Sequence, residues 1–341
     1  MSPPSTLVRC GLIAACAGSF LQPSLAGDLP DSTTCSAAIS LIASQRYDMA
    51  LALADSMIQS NPEAPTGYFI KATILDARGI DYEDDLDLTQ WNQACDDAEL
   101  GCRRRISAGA ESADIRFILG TIYGYRSYHD FRSGNTVHAF KEGLDAVREW
   151  KRAMELDSTC WDAYLGLGTY YYHRSAKAGV LRKVGLVQDR RAEGIRLVQL
   201  AAQRGKFTRL AARSGLAWLL IEEKRFDDAE QIAKELVAEY PESRVFYWCL
   251  GRTQFNSGKW SDAAFTYETL LSLIQNDSRN NYYNEIGCLH SLAICYQKSG
   301  LTQEANAAAE RALTLRPSAE IAKRKTKDIN DLKRLKAETG K

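Results

Sequence analysis

A short motif, Leu-Gly-x-x-Tyr, recurs along this 341-residue sequence and restricts the folds that the chain can adopt. Two complete copies lie at 119–123 and 167–171, and two altered copies lie at 250–254 and 292–296. Inside a helix, glycine costs about 1 kcal/mol relative to alanine. Because the glycine recurs at the same phase, we predict that it meets a steric demand, namely a close crossing of two helices.

A second set of residues follows each copy of the motif, with a spacing that predicts a second helix. A small residue is followed four positions later by an aromatic residue or alanine, and three positions further on by an apolar residue, as in Ala263, Tyr267 and Leu270. Prolines close several of the units, at Pro62, Pro241 and Pro317. A single helix pair of this kind leaves its apolar face exposed, so we expect successive pairs to stack and share one core.

The repeating unit resembles the tetratricopeptide repeat family, whose 34-residue unit consists of two antiparallel helices, A and B. The stretch 244–277 matches the family pattern best, through Tyr247, Leu250, Gly251, Gly258, Trp260, Ala263 and Tyr267. Anchored on these positions, the units fall at 31–64, 65–112, 113–160, 161–209, 210–243, 244–277 and 286–319. The resemblance implies an all-α fold, a right-handed α-solenoid of about seven helix pairs, with a capping helix and tail at 320–341.

Three of the units are longer than the 34 residues of the family. The second and third units hold 48 residues each, and the fourth holds 49. We expect the additional residues to form insertions between helix A and helix B, around 79–88, 128–144 and 178–188, that project from one edge of the stack. The third insertion is apolar apart from residues such as Arg182 and Lys183. It either covers apolar surface of the solenoid or lies on a membrane surface.

The N-terminal 26 residues are typical of an export signal peptide. Arg9 precedes a short apolar stretch, and the small residues Ser24 and Ala26 define a cleavage position before Gly27. The apolar stretch is shorter than the roughly 20 residues that span a bilayer. An alternative is a lipoprotein-like box that would leave Cys16 lipidated. We therefore expect an exported protein that is periplasmic or associated with the cell envelope.

Charge balance and missing motifs argue against nucleic-acid binding and catalysis. Lysine plus arginine and aspartate plus glutamate both number 43, whereas nucleic-acid binders carry a basic excess on one face. His129 and His138 share a stretch with Asp130, but their spacing matches no set of metal ligands. The acidic run at 81–87 lacks the glycine and the glutamate that an EF-hand loop requires. We therefore expect no enzymatic activity, no cofactor and no bound metal.

Seven cysteines follow the predicted export signal at irregular spacings, and we expect most of them to be small core residues. Cys288 and Cys295 would lie about 10.5 Å apart on one helix, which is too far for a disulfide. Cys95 and Cys102 share this spacing, but a helix that ends at Gly101 would let them meet. A Cys95–Cys102 bridge therefore stays an open alternative.

In the family that the chain resembles, helix A lines the concave face and exposes the second, fifth, ninth, twelfth and thirteenth positions of each unit. Here these positions include Phe117, Tyr125, Tyr172, His173, Trp218, Trp248, Arg252 and Phe255. Aromatic residues and arginine dominate interface energies, so the resemblance implies a scaffold that binds a protein or peptide there and along the insertion edge. One alternative is that these side chains pack between units. Another is an envelope glycan or lipid bound by this groove or by 178–188.

Overall fold

The computed structural model describes residues 32–83, 87–178 and 188–339. The predicted export signal, the alternative box at Cys16 and nearly all of the third insertion lie outside the described residues. The described residues form sixteen helices and no strand. In chain order these are α1 Ser32–Ala43, α2 Tyr47–Ser60, α3 Pro65–Tyr82, α4 Leu88–Ser107, α5 Ala113–Arg132, α6 Thr136–Leu156, α7 Trp161–Lys177, α8 Arg191–Arg204, α9 Arg209–Glu222, α10 Phe226–Glu239, α11 Arg244–Asn256, α12 Trp260–Gln275, α13 Tyr283–Lys298, α14 Thr302–Thr314, α15 Ala319–Arg324 and α16 Thr326–Thr339.

The helices stack along the chain as the repeats predict. Within the described residues, α1 to α14 form seven successive hairpins, and each helix packs on the next one in sequence. The chain then ends in α15 and α16, where Leu332 and Leu335 join the core formed with α13 and α14. The predicted all-α solenoid is confirmed, with two helices of 6 and 14 residues where the sequence predicted one capping helix. No helix of the described part combines the length and apolar character that crossing a bilayer requires.

The recurring glycine lies where the two helices of a hairpin cross. A methyl group placed on Gly168 of α7 would lie 2.7 Å from the carbonyl oxygen of Gly194 in α8. On Gly251 of α11 it would lie 2.7 Å from the ring of Tyr267 in α12, and Gly120 is crowded in the same way. These distances are shorter than an ordinary non-bonded contact of about 3.5 Å. The predicted steric demand is therefore confirmed.

The additional residues of the second and third units lengthen the helices. α3 and α4 hold 18 and 20 residues, and α5 and α6 hold 20 and 21. Only residues 133–135 separate α5 from α6, where Gly134 turns the chain with a φ of 86°. The insertion predicted around 128–144 is therefore wrong, because all of these residues except 133–135 lie in helices that no proline interrupts. Around 79–88, residues 79–82 and 88 are helical, and 84–86 lie outside the described residues. The third unit's hairpin reaches about 9 Å further than one built on 14-residue helices.

The stack curves until its first hairpin touches the fifth and sixth hairpins. Ala43 at the end of α1 packs with Leu236 of α10 and Phe246 of α11 in one buried cluster. Beside this cluster, Nη2 of Arg279 lies 2.8 Å from Oδ2 of Asp48. The described part of the chain therefore closes into a ring of helix hairpins, which the sequence did not predict.

Candidate functional site

Two of the eight candidate groove residues are buried. Phe117 packs edge-on against Phe69 of α3, with ring centroids 5.8 Å apart. Tyr172 is 1 % exposed, and its hydroxyl donates to Glu223 at the end of α9 at 3.0 Å. Both side chains hold neighbouring hairpins together, so the prediction that they line an open groove is wrong. Periodicity alone does not distinguish an exposed position from one that the next unit covers.

Three further candidates are half-buried between helices. Tyr125 packs against the core of the first hairpins. Trp248 lies against Tyr267, with ring centroids 5.8 Å apart. Phe255 meets Trp260 edge-on at 5.2 Å. These contacts agree with the alternative that the side chains pack between units, and each leaves only part of a ring accessible.

The remaining three candidates stay at least partly accessible on the first helices of three consecutive hairpins, and we call them the inner surface: His173, Trp218 and Arg252. Trp218 on α9 is 36 % exposed, and Arg252 on α11 is exposed with no ion-pair partner among the described residues. α9 and α11, the first helices of consecutive hairpins, contact each other. His173 on α7 is half-buried, and burial lowers the pKa of its imidazole although Glu222 opposes that shift. His173 is therefore neutral at pH 7.

A buried ion pair joins the second hairpin to the sixth. Arg244 is the first residue of α11 and Asp81 lies in the last turn of α3, and their side chains are 9 % and 1 % exposed. Both carboxylate oxygens of Asp81 accept from the guanidinium, with Nε 3.3 Å from Oδ1. The hydroxyl of Tyr47 donates to the same carboxylate at 3.1 Å. Gln45 accepts from the backbone N–H of Arg244 at 3.1 Å.

Asp277, between α12 and α13, extends this contact. Its carboxylate pairs with Arg244 and accepts from the hydroxyl of Tyr82 at 2.9 Å. Burial raises the pKa of this carboxyl, but hydrogen bonds from the backbone of Arg279 and from those two side chains outweigh burial and lower the pKa. Hereafter, the clasp denotes Tyr47, Asp81, Tyr82, Arg244 and Asp277.

The charged residues of the clasp lie at the helix ends where the helix dipole disfavours their charge. Asp81 places a negative charge at the carboxyl end of α3, and Arg244 places a positive charge at the amino end of α11, where the helix dipole disfavours each. Among the described residues, three of the four non-glycine residues with positive φ lie beside the clasp, namely Gln45, Glu83 and Tyr282. Such violations concentrate where a tertiary contact dictates the residue. The charges at the disfavoured helix ends mark both residues as unusual in the sequence, but they do not relate one residue to the other.

The two histidines near the α5–α6 turn make separate hydrogen bonds. Nε2 of His129 lies 2.7 Å from Oδ1 of Asp76, and its ring meets that of Trp91 with centroids 4.5 Å apart. Nδ1 of His138 bonds to the carboxylate of Asp130. In the part of the chain that the structure describes, no three His, Cys, Asp or Glu side chains gather as a metal ion would need.

Cys95 and Cys102 are buried free thiols. α4 continues through Gly101 and keeps them two turns apart, so the alternative of a disulfide between them is wrong. The glycine serves packing instead, since a methyl group on it would lie 3.1 Å from Cβ of Pro65. Burial raises the pKa of both thiols to about 12.

A second concavity, which we call the outer groove, lies between α6 and α8, the second helices of two hairpins. It has a volume of about 530 Å³ and a floor formed by α7. Its accessible lining includes Lys151, Met154, Trp161, Tyr164, Arg196 and Leu200. The outer groove thus uses the face of α7 that carries Tyr164 and Tyr171, whereas His173 lies on another face of the same helix.

Comparisons with known proteins agree with this architecture. A sequence model of the tetratricopeptide repeat matches residues 220–280, which run from the end of α9 through α12. Residues 220–280 therefore belong to the tetratricopeptide repeat (TPR) family, and the described hairpins have the TPR fold. TPR folds generally serve as scaffolds for protein–protein interaction and are typically non-enzymatic. No curated protein matches this TPR chain in sequence.

Solved structures share the TPR fold at low sequence identity. A chain of the APC/C hetero-tetramer Cut9–Hcn1 aligns with a TM-score of 0.58 and 14% identity over 90% of this chain. This chain spans about half of that one, 49% of its length. The C-terminal part of a TPR repeat-containing protein from Cytophaga hutchinsonii aligns with a TM-score of 0.44 and 18% identity over 87% of this chain and 99% of that one. The first likeness supports the fold alone.

Proposed function

We propose that the chain is a non-enzymatic scaffold of the cell envelope that binds a partner protein or peptide on its inner surface. The exposed indole of Trp218 carries this proposal, because tryptophan and arginine dominate the binding energy of interfaces. Arg252 on the next hairpin adds a positive charge that no carboxylate of the described residues pairs with, and neutral His173 on the preceding hairpin adds a hydrogen-bonding group. This combination favours a segment with an apolar anchor beside a carboxylate.

The closed ring supports such binding by holding α7, α9 and α11 in place. A surface that is ordered before binding loses little conformational entropy when the partner arrives. The inner surface spans three hairpins, and each contributes one side chain. An extended peptide or an exposed loop of a protein fits this arrangement.

Photo-crosslinking in the native cell tests the inner surface. Replacing Trp218 by benzoylphenylalanine should trap a specific protein on illumination. Phe265 on α12 provides the matched control, because its aromatic side chain is 73 % exposed but lies on the second helix of a hairpin. Equal trapping at both positions, or none at position 218, would contradict the proposal. Co-sedimentation with cell-wall sacculi or liposomes, without a trapped protein, would instead favour the glycan or lipid alternative.

We also propose that the N-terminal 26 residues direct export. The single positive charge of Arg9, the short apolar stretch and the small residues before Gly27 support this proposal. Sequencing of the protein purified from its own cells should find Gly27 at the mature N-terminus, or a lipidated Cys16 if the alternative holds. An intact N-terminus on protein confined to the cytoplasmic fraction would contradict export.

A further inference from the structure

We propose that the outer groove binds an acidic amphipathic helix, at a site separate from the inner surface. The groove has an apolar and aromatic floor, in which Trp161 and Tyr164 are half-buried. Met154 of α6 and Leu200 of α8 form its two walls. Partner helices dock into grooves of this kind through apolar residues spaced at i, i+3, i+4 and i+7.

The groove continues towards the amino end of α6, because its two walls, α6 and α8, differ in length. α6 holds 21 residues, whereas α8 holds 14 and begins only at Arg191. The amino-terminal half of α6 therefore lacks a described neighbour on this side, and it exposes an apolar stripe. Val137, Phe140 and Leu144 are 83 %, 67 % and 45 % exposed. Large apolar side chains that line up on one exposed face mark an interaction surface.

The charges at the rim of the groove indicate the sign of the charge on the partner. Lys151 and Arg196 face each other across the groove, and neither has an ion-pair partner among the described residues. The one acidic residue of the lining, Glu193, pairs with Arg190 at 2.6 Å, and after this hydrogen bond the charge of Arg196 also helps to lower the pKa of its carboxyl. At the lower end, the guanidinium of Arg204 lies over the ring of Trp161, 4.9 Å from its centroid. A helix with carboxylates on both flanks of an apolar stripe complements this rim.

Length and charge favour an external helix over other occupants. The wall from Phe140 to Met154 is about 21 Å long at 1.5 Å per residue, which matches a partner helix of about 14 residues. The chain's own segment after α7 carries Arg182 and Lys183, the same sign as the rim. A bilayer surface is flat, whereas the floor of the groove is recessed between two helices.

A pair of synthetic peptides tests the proposal on the full mature chain. Both are fluorescent 16-residue helices with leucine at i, i+3, i+4 and i+7; one carries glutamate on its flanks and the other lysine. Fluorescence anisotropy should show binding of the glutamate peptide and at least roughly tenfold weaker binding of the lysine peptide. The double variant Lys151→Glu/Arg196→Glu should reverse this preference. The matched control Lys298→Glu/Lys323→Glu changes two exposed lysines elsewhere and should leave it unchanged.

Other occupants give distinct results. Equal affinity for the two peptides, or no change in the Lys151→Glu/Arg196→Glu variant, would overturn the proposal. So would a large gain in affinity after residues 180–187 are replaced by glycine and serine, since the chain's own segment would then occupy the groove. Binding to anionic liposomes that is lost in Val137→Ser/Phe140→Ser, without peptide binding, would assign the stripe to a membrane. Trp218→Ala should not alter peptide binding, which keeps this test independent of the inner surface.

Discussion

Replacing Arg244 by methionine tests how the ring is held closed. The variant leaves the carboxylate of Asp81, whose side chain is 1 % exposed, without its cation. Removing one partner of a buried ion pair costs about 3–5 kcal/mol. Methionine retains much of the apolar stem of arginine, so lost packing contributes little. Because an isolated buried carboxylate is unfavourable, we expect the ring to open at this contact while the stacked hairpins stay folded.

The pH dependence of this cost follows from Asp81. Burial raises the pKa of its carboxyl, and Arg244 opposes that rise. Without Arg244 the pKa rises further, so the folded variant binds a proton at a pH where the unfolded chain has lost it. The stability deficit of the variant is therefore largest at neutral pH and shrinks as the pH falls. The double variant Arg244→Met/Asp81→Asn removes the buried charge and should recover most of the deficit at neutral pH.

Urea unfolding measures the free-energy difference, and hydrogen exchange in α1 to α3 reports whether the ring opens. Arg213→Met is the matched control. Arg213 pairs with Glu235 and Glu239 near the surface, where an ion pair contributes at most about 1 kcal/mol. If Arg244→Met costs no more than Arg213→Met and leaves exchange in α1 to α3 unchanged, the clasp does not hold the ring closed.

Three further outcomes follow from packing and charge. Gly168→Ala should lower the free energy of unfolding by about 1–3 kcal/mol through overpacking. Gly215→Ala should raise the free energy of unfolding by about 1 kcal/mol, because its methyl group would lie no closer than 3.9 Å to Leu165. Urea titration of both variants checks the signs, and a stabilised Gly168→Ala would contradict the close crossing. Burial raises the pKa of Glu230, but hydrogen bonds from two lysines and a glutamine outweigh it and lower the pKa to about 2. The stability from this carboxylate is therefore present above about pH 4.3 and lost as the pH falls towards 2, so Glu230→Gln should be less stable at pH 7 and approach the parent near pH 2; a pH-independent difference would count against this ion network. Cys95 and Cys102 should react with Ellman's reagent only after unfolding, and reaction in the native state would be inconsistent with their burial.

The parts of the fold that the sequence predicts are those set by contacts between adjacent helices. The crowding around the motif glycines can be predicted from the sequence, because the partner residues, such as Trp150 opposite Gly120, lie within the same unit. Phase within one unit therefore suffices to predict the hairpin and its stacking. The sequence does not predict the lengths of the helices at 128–144, because a longer unit is equally consistent with an inserted loop and with additional helical turns.

The closure and the state of the candidate site depend on the whole superhelix. Asp81 and Arg244 are 163 positions apart, and no local pattern relates them. From sequence alone, Asp81 belonged to an acidic run that suggested a polar insertion. Tyr172 and Trp218 both occupy predicted groove positions, yet Tyr172 is 1 % exposed and Trp218 is 36 % exposed. The curvature of the stack decides which side chains the next hairpin covers, and curvature accumulates over many units.

A distance measurement between the first hairpin and the link from α12 to α13 tests the closed ring most directly. Spin labels at Met49→Cys and Arg279→Cys report this distance by pulsed electron paramagnetic resonance, because position 49 adjoins Asp48, which contacts Arg279 at 2.8 Å. The described native cysteines are buried and resist labelling. The closed ring predicts a single short and narrow distance distribution in the monomeric protein. A long, broad distribution, as an open solenoid would give, would contradict it.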